Sequence, residues 1–195
     1  MSFSSQLPNR SRQTSKRVFK SRSKLPLTPK SLWKIETGVV KTMTWLEDGT
    51  IVVLGLWGAG DIVGKALSKV EPYQIECLTE VEVTVLPGDG WHQIAEILLD
   101  YIQQVEELTV IRRYKKTDIM LVKLLIWLAK RFGREVEQGH LLDLRLTHQD
   151  LAEILGATRV TITRTLSQLE EQGLIERLSL HRFVVREEEF WHYEI

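Results

Sequence analysis

LTHQDLAEILGATRVTITRTLSQLEE, residues 146–171, is the stretch that decides how this chain is read. It predicts two short helices hinged at Gly156. Thr147 is placed to N-cap the first, with Asp150 three residues on as the acidic half of a capping box. Leu151, Ile154 and Leu155 give that helix an apolar stripe. Gly156 supplies a positive-φ corner, and Thr158 is placed to cap the second helix. There, Ile162, Leu166 and Leu169 share one face at helical spacing, and Arg159, Val160, Thr163, Arg164 and Ser167 share the other. The second face is small, hydroxylic and cationic, which suits a helix that enters the major groove of DNA. The stretch therefore predicts a helix-turn-helix that reads DNA, with Arg159, Val160, Thr163 and Arg164 as the base-reading set. The alternative is an αα-hairpin whose polar face meets solvent or another protein. The hinge glycine, the two hydroxyl caps and the two arginines together weigh against it.

The flanks extend the pattern. Residues 174–185 predict two short strands around a polar turn at 179–181. A hairpin just after a recognition helix is a wing, with Arg177, His181 and Arg182 as candidates for the sugar-phosphate backbone. Upstream, 118–132 predicts a helix with apolar residues around much of its circumference, hence well buried, ending at Gly133 in a left-handed cap. Residues 139–145 predict a strand leading into the helix-turn-helix.

The N-terminal half has a different period. Strands are predicted at 32–35, 39–45, 50–56, 75–78 and 81–86, separated by glycine turns, and Glu47-Asp48-Gly49 is a good hairpin corner. Short strands at this spacing predict a β-roll, a cupin-like double-sheet barrel, rather than a parallel sheet. From Trp91 the period turns helical. Leu98, Tyr101, Val105 and Leu108 form a stripe that runs on for about five turns, long for a helix that only covers a small roll. Those four residues are therefore the expected seam of a homodimer, the alternative being a helix packed on its own roll. Arg112-Arg-Tyr-Lys-Lys116 looks like an exposed junction. The expected fold class is α+β. Its parts are a basic flexible arm (1–17), a β-roll of effector type (18–90), a long dimerisation helix and hinge (91–116), and a winged helix-turn-helix (117–195).

Composition narrows the function. The 195 residues carry 26 Lys/Arg and 26 Asp/Glu, a formal charge of zero. That average hides an asymmetry: residues 1–35 hold nine bases and no acid, leaving 17 bases against 26 acids in the rest. A basic arm on an acidic body offers sequence-independent attraction to phosphate, although such segments are often plain solvated tails. One cysteine, Cys77, excludes an internal disulfide and a cluster ligated by thiolates of one chain. No apolar run is long enough for a membrane span, so a cytoplasmic location and no membrane partner are expected. Residues 58–66, GAGDIVGKA, invite comparison with a phosphate-binding loop. They fail the pattern at Ala59 and at Ala66, and no helix is predicted to open at Lys65. The five histidines show no metal-ligand spacing, and no catalytic set has a local signature. No metal, no cofactor and no enzymatic activity are expected.

Roll, long helix and winged helix-turn-helix in this order resemble the Crp/Fnr family of bacterial transcription regulators over 18–186. The local matches are Gly60-Asp-Ile-Val-Gly64, similar to the family's glycine turn, and 146–175. The segment Thr158-Arg-Val-Thr-Ile-Thr-Arg164 most resembles the recognition helix of the cyanobacterial global nitrogen regulator. The resemblance implies a homodimer on double-stranded DNA, half-sites like GTA, and RNA polymerase as a further candidate partner. It assigns Arg159, Val160 and Arg164 to the groove, and Thr147, Gln149, Thr158 and Thr161 to phosphates. Cyclic-nucleotide-binding members carry a Glu just after the glycine turn and an Arg-Ser pair downstream. Here Lys65 and Glu71-Pro72 stand at those places, so cAMP binding is not expected, and the residues that hold 2-oxoglutarate in the nitrogen regulator are not matched. Any other small effector is left open. The competing function is a ligand-sensing or protein-interaction module whose helix-turn-helix does not read sequence.

Overall fold

A computed structural model describes residues 16–29, 32–86, 94–179 and 182–186. The N-terminal half is a double-sheet roll. One sheet holds β1 (Lys16–Phe19), β7 (Val81–Leu86), β2 (Leu32–Thr37) and β5 (Ile62–Val63), in that order. The other holds β4 (Ile51–Trp57), β3 (Val40–Trp45) and β6 (Gln74–Cys77). Every pairing is antiparallel. The β3–β4 corner forms at the expected place: Thr50 N donates to Asp48 Oδ1 at 2.9 Å, and Gly49 turns with φ of 82°. β1 begins inside the stretch expected to be a flexible arm, because Lys16 and Arg17 pair with Thr84 and Val83 on β7. The two-residue β5 was not expected, since so short a strand has no period to detect.

α1 (Ala95–Ile111) crosses from the roll to α2 (Thr117–Phe132). Then come β8 (Arg134–Val136), β9 (Gly139–Leu142), α3 (His148–Leu155), α4 (Arg159–Glu171), β10 (Ile175–Leu178) and β11 (Arg182–Val185). The last strands form a sheet in the order β10-β11-β9-β8, with the β10–β11 hairpin as the wing. α2 is the central support, with Leu121, Leu124, Leu125 and Leu128 fully buried. Its end differs from the expected left-handed cap. Gly133 is extended, with φ of −82° and ψ of 170°, and glycine is required because a Cβ would lie 2.4 Å from the Ala129 carbonyl oxygen.

Among the described residues, two large apolar cores and a small cluster of Leu32, Ile62 and Ile94 organise these parts. The roll interior contains Trp33, Ile35, Val40, Trp57, Ile75 and Val83. The second core joins α2, α3, α4 and the wing sheet to Val39, Val53, Leu56 and Leu78, which belong to the roll. The β4–β3–β6 sheet thus buries one face in its own roll and the other under the C-terminal helices.

The four residues expected at the dimer seam make contacts within the chain. Tyr101 stacks on Trp57, with ring centroids 4.0 Å apart, and Val105 packs on the same roll core. Leu98 packs against the Leu32, Ile62 and Ile94 cluster, and Leu108 is 1% exposed in the second core. The stripe faces the chain's own roll and α2. What α1 turns outward is Leu99, Ile102 and Val110, each more than half exposed. The expected exposed junction is corrected at one residue. Arg112 turns inward, its Nε donates to the Ile154 carbonyl at 2.6 Å, and burial pulls the pKa of its guanidinium down to about 10.

Candidate nucleic-acid interface

α3 and α4 meet at Gly156, which adopts φ of 66° and ψ of 32°, the left-handed region where a side chain is costly. A Cβ there would meet nothing within 4 Å, so the need for glycine is conformational rather than steric. Both halves of the capping box close on α3. Asp150 N donates to Thr147 Oγ1 at 3.1 Å, and Thr147 N donates to Asp150 Oδ2 at 2.9 Å. Thr158 caps α4, accepting from Thr161 N at 3.1 Å. These contacts satisfy amides that the first turn of a helix otherwise leaves bare.

Ile162, Leu166 and Leu169 turn inward and are buried. Arg159, Val160, Thr163, Arg164 and Ser167 line one shallow surface groove along α4. Val160 is 78% exposed, high for an aliphatic side chain on a well-packed helix. Among the described residues, neither the Arg159 nor the Arg164 guanidinium has an ion-pair or hydrogen-bond partner. Between them, Thr163 Oγ1 donates to the Arg159 carbonyl at 2.9 Å and lies 2.8 Å from His148 Nδ1. That hydroxyl is already engaged, so the free polar capacity of the groove belongs to the two guanidinium groups.

Thr147, Gln149, Thr158 and Thr161 gather at the N-terminal turns of α3 and α4, where helix dipoles favour an anion. Thr147 Oγ1 also donates to Asp150 Oδ2 at 2.7 Å, and Gln149 Nε2 donates to Glu153 Oε1 at 3.1 Å. The Thr158 and Thr161 hydroxyls share a hydrogen bond of 2.8 Å. The wing is less open than its sequence suggests. Arg177 Nε donates to Glu170 Oε2 at 2.7 Å, which holds that carboxyl below its usual range. Arg182 Nε donates to the Ser179 carbonyl at 3.2 Å. His181 lies outside the described residues.

In the roll, a single 3-10 turn opens at Lys65–Leu67, where none was expected. Its lysine does not point to a free anion site. Lys65 Nζ donates to the Ser68 and Val70 carbonyls at 3.1 and 2.8 Å and pairs with Glu71 at 2.7 Å. The two residues at the cyclic-nucleotide positions thus neutralise each other. Inside the roll, Trp57 is hydrogen-bonded through Nε1 to Thr42 Oγ1 at 3.0 Å, and a Cβ at Gly55 would lie 2.2 Å from its ring.

Sequence reading missed the ionic contacts that hold the helix-turn-helix to the roll. Asp150, expected only as a cap, also accepts from Arg22 and Lys41. Asp61 accepts from Arg131 at 2.8 Å and from Gln104 at 3.0 Å. A lysine between Val40 and Thr42 in an interior strand was the available signal for the first contact. Among the described residues no group of three or more His, Cys, Asp or Glu could hold a metal ion, and no helix is long and apolar enough to cross a membrane.

Comparison with known proteins places these features. Residues 121–189 match the model of the Crp-like helix-turn-helix domain. The regulatory protein CysR of Synechococcus elongatus is 41% identical over 159 residues, covering 80% of this chain and 77% of that protein. The global nitrogen regulator of Nostoc sp. is 33% identical over 93 residues, 46% of this chain and 42% of that one. A CRP-family transcriptional regulator from Thermus thermophilus superimposes with a TM-score of 0.76 at 22% identity, covering 87% of this chain and 91% of that one. FixK2 from Bradyrhizobium japonicum gives 0.76 at 17% identity, with 92% and 96% covered.

Proposed function

Because the chain belongs to the Crp/Fnr family of sequence-specific DNA-binding transcription regulators, we propose that it reads duplex DNA through the outer face of α4, as a homodimer on an interrupted inverted repeat. One observation carries the reading: an exposed groove holding two guanidinium groups with no partner among the described residues, flanking a valine that is 78% exposed. A guanidinium held this way can bond guanine O6 and N7 with both prongs, and Val160 offers apolar contact suited to a thymine methyl. Thr163 is engaged with Arg159 and His148, so its share is to fix the groove rather than to donate first. Thr147, Gln149, Thr158 and Thr161 take phosphates, which set register without carrying sequence. RNA polymerase is carried forward as a further partner from the family resemblance, and a cytoplasmic site of action from the sequence, which holds no long apolar run.

The dimer seam moves to the outward stripe of α1. Leu99 and Ile102, then Val110, are spaced so that a second copy of the helix laid against the first covers apolar surface the monomer leaves in water. Ile102→Glu should yield monomers in sedimentation, whereas Val105→Glu should disturb the roll. A dimer unchanged by Ile102→Glu would remove the seam from this helix face.

Selection of bound sites from random duplex DNA tests the reading as a whole. The expected product is a two-fold symmetric site with half-sites about one helical turn, ~34 Å, apart. Recovery of duplexes without a shared sequence would overturn base reading by α4. Recovery of a single unrepeated element would overturn the dimer.

A further inference from the structure

The β4–β3–β6 sheet presents Lys41 on the face opposite the roll core, since its neighbours Val40 and Thr42 face inward with Trp57. A lysine in the middle of such a face would ordinarily be solvated, yet Lys41 is 3% exposed because α3 lies over it. Its ammonium meets Asp150 Oδ1 at 3.2 Å and Glu153 Oε2 at 3.1 Å, both on α3, and its cross-strand partner Glu76 at 3.7 Å. Arg22 joins from the turn after β1 in a left-handed backbone conformation, φ of 67°. Both of its terminal nitrogens reach Asp150, at 2.7 Å each, and Nη1 also meets Glu76 at 3.3 Å. Two cations of the roll therefore grip the carboxylate that closes the N-cap of α3. Burial alone would raise that carboxyl, but Arg22, Thr147 and Lys41 hold it well below the usual range.

A second clamp joins the roll to α2 with the signs reversed. There the roll supplies the acid, Asp61, and α2 supplies the base, Arg131. Two ionic clamps of opposite polarity fix the orientation of a body as well as its position, because a docking rotated end for end would bring like charges together. The α3 clamp at Asp150 sits within one turn of Thr147 and Gln149 and one hinge from α4, so any tilt it permits is passed to the reading groove.

We propose that Lys41 and Arg22 are positioning residues for DNA recognition: by holding α3 at Asp150 they set the angle of α4 on the roll, and with it the separation of the two reading helices in the dimer. This rests on the dimeric reading proposed above. The consequence is specific. Loosening the clamp should leave recognition of one half-site intact and blur the preference for the spacing between two.

The experiment uses the full chain and three kinds of duplex: the selected operator, the operator with its spacer lengthened or shortened by one base pair, and a single half-site. Lys41→Met with Arg22→Gln should lose about tenfold on the operator, and its spacer preference should fall toward unity. Single half-site affinity and the preferred bases should stay as in the unmodified chain. Lys41→Arg, which keeps the cation, should restore the spacer preference. Arg22→Gln alone removes the more exposed cation and leaves Lys41 on Asp150, so it should shift the preference in the same direction by a smaller factor. That single variant keeps the test open should the double variant not fold. Unchanged spacer discrimination in Arg22→Gln, or an equal loss on operator and half-site in the double variant, would reduce the network to simple cohesion and overturn the proposal. An unmodified chain with no spacer preference would overturn the dimeric reading itself, a result the variants cannot mimic.

Discussion

Basic residues meet the helix-turn-helix from two sides, and they are treated in opposite ways. On the outer side, Arg159 and Arg164 stand exposed around Val160, with no partner among the described residues. On the inner side, Lys41 and Arg22 come from the roll and are consumed by Asp150, Glu153 and Glu76. An arginine left to water costs the fold nothing and keeps its donors available for a partner. A cation removed from water, as Lys41 is, must be paired, and once paired it organises whatever carries the other charge; Arg22 keeps one side in water and joins the same carboxylate. The difference separates residues that read from residues that hold the reader.

Breaking the inner side should give the largest effect. Asp150→Ala removes the carboxylate that Lys41 and Arg22 share, leaving them Glu153 and Glu76, and opens the α3 cap, so it should cost about 2–3 kcal/mol of stability in a denaturant titration. A loss under about 1 kcal/mol would mean the network is solvated and the contrast false. The same carboxylate gives a pH signature. Its folded value is depressed, so its contribution is present above the ordinary carboxylate range near pH 4 and is lost as the pH falls below it. The acid limb of the melting curve should therefore flatten in Asp150→Asn relative to the unmodified chain.

The outer side should respond in binding rather than in folding. Arg159→Ala and Arg164→Ala should each cost ~1–3 kcal/mol on the preferred site and relax discrimination at one base pair, measured on single-base operator variants at fixed salt. Their unfolding free energies should move by less than about 0.5 kcal/mol. A uniform loss on all duplexes would make them phosphate clamps. Thr161→Ala should give the smallest change, about 0.5–1.5 kcal/mol of DNA affinity, equal across sequences. A change confined to one base pair would move Thr161 from the backbone to the bases.

The helix-turn-helix was legible because its determinants are local. Thr147, Asp150, Gly156 and Thr158 act within four residues of themselves, and the alternation of Ile162 and Leu166 with Arg159 and Arg164 is a property of one helix. The same locality exposed the β3–β4 corner at Asp48-Gly49. Which α1 stripe meets the roll was not legible, for the converse reason. That helix carries two apolar stripes, and periodicity cannot say which one its own roll will take. The richer stripe, through Tyr101 and Leu108, went inside, leaving the sparser one outside. The roll-to-helix clamp left only Lys41 in β3 as a hint, since Arg22 and Asp150 are separated by 128 positions and only the tertiary fold brings them together.

The apolar cluster that runs from Val39, Val53, Leu56 and Leu78 into α2 and α3 has a bearing on how the chain comes apart. Because that cluster draws side chains from both halves, neither retains its full core when the other melts. Heating should therefore give one calorimetric transition, and amides of the β4–β3–β6 sheet should exchange in the same opening event as those of α2. A fragment cut at the end of α1 would carry the reading helix intact in sequence and still lack the wall it is built against.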